Sequence, residues 1–213
     1  MKKDLVHLVF ILDKSGSMSG LQADTIGGFN SLIEKQKSEE GEAIVTTVLF
    51  NDDYFLVHDK ENIDKVKELT RKEYFPIGCT ALLDAVGRTV SAVASDYEMM
   101  NKEDIPERTL VVITTDGKEN SSKEYSYFAV KSTLEKAKEL YNFEYLFLGA
   151  NIDSIEEASK FGIHEDNAVN YNCDSEGVEL NYQCLSRTVS RIRKEKLFDA
   201  SWKKDIEEDY FNR

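Results

Sequence analysis

Leu5-Val6-His7-Leu8-Val9-Phe10-Ile11-Leu12, broken off at once by Asp13-Lys14-Ser15-Gly16-Ser17, decides the fold of this chain. An almost unbroken apolar run of this length is the pattern of a central parallel strand, covered by helices on both faces. Its abrupt change to polar residues means that the strand ends in a loop. From Leu21 onward, Thr25, Ile26, Phe29, Leu32 and Ile33 return at helical spacing until the charges around Glu39-Glu40-Gly41. The opening segment is therefore strand, polar loop, helix.

The same alternation recurs along the chain. Ala43 to Phe50 is rich in β-formers, Asn51-Asp52-Asp53 reads as a turn, and Tyr54 to Val57 returns as a short antiparallel strand at one sheet edge. After a weakly patterned charged stretch, Gly78-Cys79-Thr80 precedes a helix whose inner face is Leu82, Val86, Thr89, Val90 and Val93. Thr109 to Thr114 is a further buried strand, ending in Thr115-Asp116-Gly117 and followed by a helix with Val130, Leu134, Ala137 and Tyr141 on its stripe. Phe143 to Leu148 and Ala168 to Asn170 complete the strands. Between them Ser154 and Glu157 have capping-box spacing, and Gly162 closes the helix they open. A terminal helix carries Val178, Tyr182, Leu185, Val189 and Ile192, with Arg187, Arg191, Arg193 and Lys194 at the end where the helix dipole favours cations.

Strands alternating with helices at this spacing predict a Rossmann-like, doubly wound α/β fold: a mostly parallel sheet, one antiparallel edge strand, and helices on both faces. In such a sheet ligands bind beyond the carboxyl ends of the strands. Residues 1–196 read as one domain and 197–213 as a tail, whose Leu197, Phe198, Trp202 and Phe211 are expected to pack on it.

Composition excludes several function classes. Among 213 residues, 40 acidic against 27 basic give a net charge of −13, which repels a nucleic-acid backbone and disfavours anionic lipid surfaces. Cys79, Cys173 and Cys184 are too few and too scattered for a disulfide framework or a cysteine zinc site, and they fit a reducing compartment. The start resembles a signal peptide, but its apolar run contains His7 and ends at Asp13 rather than at a small-residue cleavage site. No stretch approaches the roughly 20 apolar residues of a membrane span, so a cytoplasmic protein is expected. His7, His58 and His164 show no ligand spacing, the latter two in polar surroundings, and receive no role.

Three loops at the predicted carboxyl edge hold chemistry: Asp13-x-Ser15-x-Ser17, then Thr80, then Asp116. Two carboxylates and three hydroxyls suit hard cations such as Mg²⁺, Ca²⁺ or Mn²⁺; without histidine or cysteine among them, zinc is disfavoured. Helix capping explains any one of these residues, but not the concurrence of all five at one edge. Ser15 to Gly20 before a helix also suits an anion, although Asp13 and Asp116 would repel it and no phosphate-loop motif is present. Beside Thr80, Cys79 is expected to be buried, and Lys14, Lys118, Glu119 and Asn120 to rim the site.

Together, Asp13-x-Ser15-x-Ser17, the Thr80 of Gly78-Cys79-Thr80-Ala81-Leu82 and Thr115-Asp116-Gly117 resemble the metal-ion-dependent adhesion site of von Willebrand factor type A domains, over residues 4 to 194. In character the chain is similar to stand-alone bacterial intracellular members, including those of stress-response or tellurite-resistance-like clusters. The resemblance implies that Ser15, Ser17 and Thr80 contact a divalent cation, Mg²⁺ foremost, while Asp13 and Asp116 contact it directly or through water. It implies a recognition module that captures an Asp, Glu or C-terminal carboxylate of a protein partner rather than an enzyme. The alternative from another class is a metal-dependent hydrolase or phosphotransferase in the same crevice.

Overall fold

A computed structural model describes residues 1–195 and 199–213. Its centre is strand β1 (Lys2–Asp13), flanked in parallel by β2 (Glu42–Phe50) and β4 (Pro106–Thr115). The six strands run β3-β2-β1-β4-β5-β6, with β5 (Phe143–Gly149) and β6 (Ala168–Asn170) parallel and only β3 (Tyr54–Asn62) antiparallel. This is the Rossmann-like architecture read from the sequence.

The pleat of β1 divides the core. Val6, Leu8, Phe10 and Leu12 face one layer, formed by helices α1 (Gln22–Lys37) and α5 (Ser175–Glu195) and by Trp202 and Ile206 near the end of the chain. Val9 and Ile11 face the other, formed by α2 (Leu82–Met99), α3 (Tyr127–Tyr141) and α4 (Ser154–Lys160). Burying each of these side chains contributes roughly 1.5–3 kcal/mol, which no one-sided strand could collect along its whole length. The register then fixes the site: Asp13 lies opposite Phe50, and Leu12 opposite Thr114, so these three strands end level at one edge.

Several local expectations are corrected. The edge strand β3 runs to Asn62, well past Val57, because an edge strand with one covered face tolerates polar residues such as Asp59 and Glu61. His58 is buried and stacked on Phe29, although Glu61 and Glu73 lie near its ring. The N-cap of α4 is Asp153, which accepts from the Glu156 N–H at 3.0 Å, one residue earlier than the Ser154 box. Gly162 does follow this helix, at φ +79°.

The basic end of α5 serves its neighbour more than its own dipole. Arg193 is buried, and its guanidinium donates to the carbonyl oxygens of Gln36, Glu39 and Gly41, capping the C-terminal end of α1. Past residues 196–198, where the expectations for Leu197 and Phe198 lie outside the described residues, helix α6 (Lys204–Asn212) follows a single 3₁₀ turn. Trp202 is buried, and its indole N–H donates to the Asp166 carbonyl at 2.9 Å, while Phe211 is 80% exposed.

Candidate metal centre

The end of β1 places Asp13 in the core, beneath the loop that carries Ser15 and Ser17. Asp13 is fully buried, Ser15 nearly so, and Ser17 is exposed, so the loop climbs from core to solvent within five residues. Both Asp13 oxygens are engaged: Oδ1 accepts from the Ser15 N–H at 2.7 Å and Oδ2 from the Thr115 hydroxyl at 2.6 Å. Its carbonyl accepts from the Tyr74 hydroxyl. Burial pushes the Asp13 carboxyl up to about 6, against the downward pull of Thr115 and Ser15, with the nearby Asp116 charge adding to the rise.

Asp116 enters from the end of β4. One of its oxygens accepts from the Ser17 hydroxyl at 2.5 Å, and the Ser15 and Ser17 hydroxyls lie 3.1 Å apart. Burial raises this carboxyl also, opposed by the Ser17 bond. Thr80 arrives on the third loop with its side chain buried. A Cβ placed on Gly117 would sit 3.4 Å from Thr80 Oγ1 and 3.8 Å from Ser17 Oγ, so these two hydroxyls converge on the glycine that follows Asp116. The structure thus brings Ser15, Ser17, Thr80 and Asp116 together, with Asp13 directly beneath.

Hydrogen bonds hold the three loops to one another. Gly16 N–H donates to the Gly78 carbonyl at 3.0 Å, and a Cβ on Gly16 would stand 3.3 Å from that oxygen, so the close approach suits glycine. Gly78 has φ +83° and leaves room for Asp52, whose Oδ2 would lie 2.1 Å from an added Cβ and accepts from the Cys79 N–H at 2.7 Å. Thr80 N–H donates to Asn120 Oδ1 at 2.9 Å, and Asn120 N–H returns to the Thr80 carbonyl. Glu119 accepts from the Leu83 N–H at 2.9 Å, and Asp84 from the N–H groups of Lys123, Glu124 and Tyr125, so the loop after β4 is fastened to the start of α2.

Some expectations at the rim are overturned. Cys79 is exposed, because its backbone N–H rather than its thiol is anchored. Lys14 is mostly buried, with its ammonium 3.5 Å from the centre of the Phe55 ring, on the β3 side of the loop. Glu119 and Asn120 are engaged as caps and staples; Lys118 is exposed. Sequence reasoning passed over Tyr74, the hydroxyl of Thr115, and Cys173, whose thiol lies 3.9 Å from Asp116 Oδ2. A signal for Cys173 existed: it stands just beyond the carboxyl end of the last strand, on the edge where ligands gather.

The donor set fits a hard divalent cation, being all oxygen, part neutral and part ionised, and open to solvent at Ser17. Among the described residues no group of three or more His, Cys, Asp or Glu side chains is placed to hold a metal.

No protein-family model matches the sequence, and no curated protein does. Solved structures match at the level of the fold. A von Willebrand factor type A protein from Catenulispora acidiphila is similar with a TM-score of 0.55 and 15% identity, over 87% of this chain and 42% of that one. Proximal thread matrix protein 1 of the mussel byssus is similar with a TM-score of 0.58 and 14% identity, over 87% of this chain and 46% of that one. A further structure of that mussel protein, with a zinc-occupied adhesion-site motif, has a TM-score of 0.57 and 13% identity, again over 87% and 46%. The chain spans less than half the length of these proteins, and at such identities the likeness shows the fold: a von Willebrand factor type A-like sheet with flanking helices.

Proposed function

We propose that this chain is a metal-dependent protein-recognition module, with one divalent cation held by Ser15, Ser17 and Thr80 and by Asp13 and Asp116, directly or through water. The observation that carries the reading is the convergence of the Ser17 and Thr80 hydroxyls and the Asp116 carboxylate at the solvent-facing end of the sheet, above a buried Asp13. A cation held largely by neutral hydroxyls keeps uncompensated charge and supplies an attachment point for a carboxylate, from an Asp, a Glu or a C-terminus of a protein partner. Mg²⁺ is the favoured ion, with Ca²⁺ and Mn²⁺ next. The zinc-occupied motif of the mussel protein adds Zn²⁺ to the ions to be tested, although the sequence alone disfavoured it.

Recognition is preferred to hydrolysis because of what surrounds Asp13. A carboxylate that attacks or takes a proton needs a free oxygen facing substrate. Both oxygens of Asp13 accept hydrogen bonds, and its side chain has no exposure. Among the described residues no helix is long and apolar enough to cross a membrane. A cytoplasmic setting, in a bacterial stress response as the resemblance suggests, forms part of this proposal.

Isothermal titration with Mg²⁺, Mn²⁺, Ca²⁺ and Zn²⁺ tests the site. One ion is expected to bind per chain, with binding lost in Asp13→Ala and Asp116→Ala and weakened in Thr80→Ala. Variants that bind as tightly as the parent would show the assignment to be wrong. Turnover of phosphoester or nucleotide substrates that disappears in Asp13→Ala would favour the hydrolase instead.

A further inference from the structure

The loop that delivers Thr80 leaves two large apolar side chains in solvent. Phe75 and Ile77 are 58% and 59% exposed, although Tyr74 just before them is fully buried and Thr80 just after them is 2% exposed. The backbone at Ile77 and Gly78 is tied down by three hydrogen bonds. Ile77 N–H donates to the Lys14 carbonyl at 2.9 Å, the Ile77 carbonyl accepts from Asn51 Nδ2 at 2.8 Å, and the Gly78 carbonyl accepts from Gly16 N–H at 3.0 Å. With Gly78 at φ +83° and Cys79 N–H held by Asp52, the segment cannot turn these side chains into the core without breaking the site's own scaffold.

Across Lys14 lies more apolar surface. Phe55 and Leu56, at the start of β3, are 39% and 49% exposed, and the Lys14 ammonium sits 3.5 Å over the Phe55 ring. Lys14 therefore links Phe55 on one side to Ile77 on the other, through its side chain and its carbonyl. Single exposed apolar residues are ordinary on any surface. A group of them, on the loop that leads to Thr80 and at the start of β3, on either side of Lys14, is the pattern of a contact surface.

Charge narrows the occupant. In a chain of net charge −13, Phe75-Pro76-Ile77-Gly78-Cys79 is uncharged. Of the carboxylates that flank it, Glu73 accepts from Thr70 and Asp52 from Cys79 N–H, while Lys14, Lys67 and Lys72 offset Glu61, Glu68 and Glu73 in the groove beside Phe55. An acidic protein segment meets the least repulsion along this strip. Resting on the reading of the site as a cation-dependent recognition module, we infer that Phe75 and Ile77, with Phe55 beside Lys14, receive an apolar side chain adjacent in sequence to the partner's acidic residue. The partner is an acidic-apolar protein segment, and the apolar contact sets which carboxylates the module accepts.

The test is a peptide array with a central Glu in each heptapeptide, flanked by Leu, Ile or Phe, or by Gly or Ser, with Gln in place of Glu as control. It is probed with the full chain in Mg²⁺ and in EDTA. The expected result is Mg²⁺-dependent binding about tenfold stronger for apolar flanks, a preference lost in the Phe75→Ser, Ile77→Ser double variant. Titration of that variant with Mg²⁺ alone should match the parent, since neither side chain is a ligand. Equal binding to Gly-flanked peptides, an unchanged preference in the variant, or a loss of its Mg²⁺ affinity would overturn this inference while leaving the cation site in place. Absence of any Mg²⁺-dependent binding to Glu peptides by the parent would overturn the recognition reading along with it.

Discussion

Thr115 shows how a single residue prepares a site it does not itself line. Its hydroxyl donates to Asp13 Oδ2 at 2.6 Å and lies within 3.3 Å of Gly117 N–H, so it fixes the buried carboxylate and the turn after Asp116. Thr115→Val keeps the shape and removes only the donor. Groups that orient metal ligands typically change affinity by about 10–100-fold, and Thr115→Val is expected to weaken cation binding within that range, read by titration calorimetry. The far-UV circular dichroism spectrum should be unchanged, because a β-branched residue of the same volume still packs in β4.

At the scale of elements, two buried polar groups tie helices to the sheet and to each other. Arg193 on α5 supplies the donors for the last carbonyl groups of α1, and Gln36 Nε2 donates back to the Ser186 carbonyl of α5. Arg193→Met leaves those carbonyl groups without donors; a loss of about 2–3 kcal/mol is expected, measured by denaturant unfolding. His7 joins β1 to β2 and α2, with Nδ1 2.7 Å from the Tyr97 hydroxyl and Nε2 2.8 Å from the Thr46 hydroxyl. Burial, with the charge of Lys60 adding to it, depresses the imidazole from 6.5 to about 3. Between those values the unfolded chain binds a proton that the folded chain refuses, so stability falls as pH drops from 6.5 towards 3, by up to about 1.4 kcal/mol per pH unit. Asp13 acts in the opposite sense, since a raised carboxyl binds its proton first in the folded state, from about 6 downward. Comparing His7→Gln with the parent at each pH separates the two, and the variant should lose less stability between pH 6.5 and 4.

For the whole molecule, the question is how far the fold depends on the cation. The two hydrophobic layers on either side of the sheet involve most of the strands and helices, and the five candidate ligands lie at one end of them. A core of this size does not need a metal to fold, unlike a zinc finger. Chelation by EDTA is therefore expected to lower the thermal midpoint by a few degrees while the far-UV circular dichroism spectrum persists. Loss of the spectrum in EDTA would mean that the metal is structural.

Periodicity and abrupt boundaries were the features readable along the chain. The run from Leu5 to Leu12 was legible as a strand buried on both faces because apolarity without alternation has that one economical arrangement in an α/β chain. Asp13, Ser15, Ser17, Thr80 and Asp116 were legible as a group because each follows a strand or opens a helix on the edge where the loops meet. The extent of β3, the Asp153 cap, the burial of His58 and the course of Lys14 were not legible, since each depends on which neighbour covers a polar residue. That Arg193 caps α1, that Thr115 and Tyr74 hold Asp13, and that Cys79 is exposed while Thr80 is buried emerged with the folded chain. The partners in those contacts lie tens of residues or more apart, and local pattern carries information about a residue's face but none about what the folded chain brings to it.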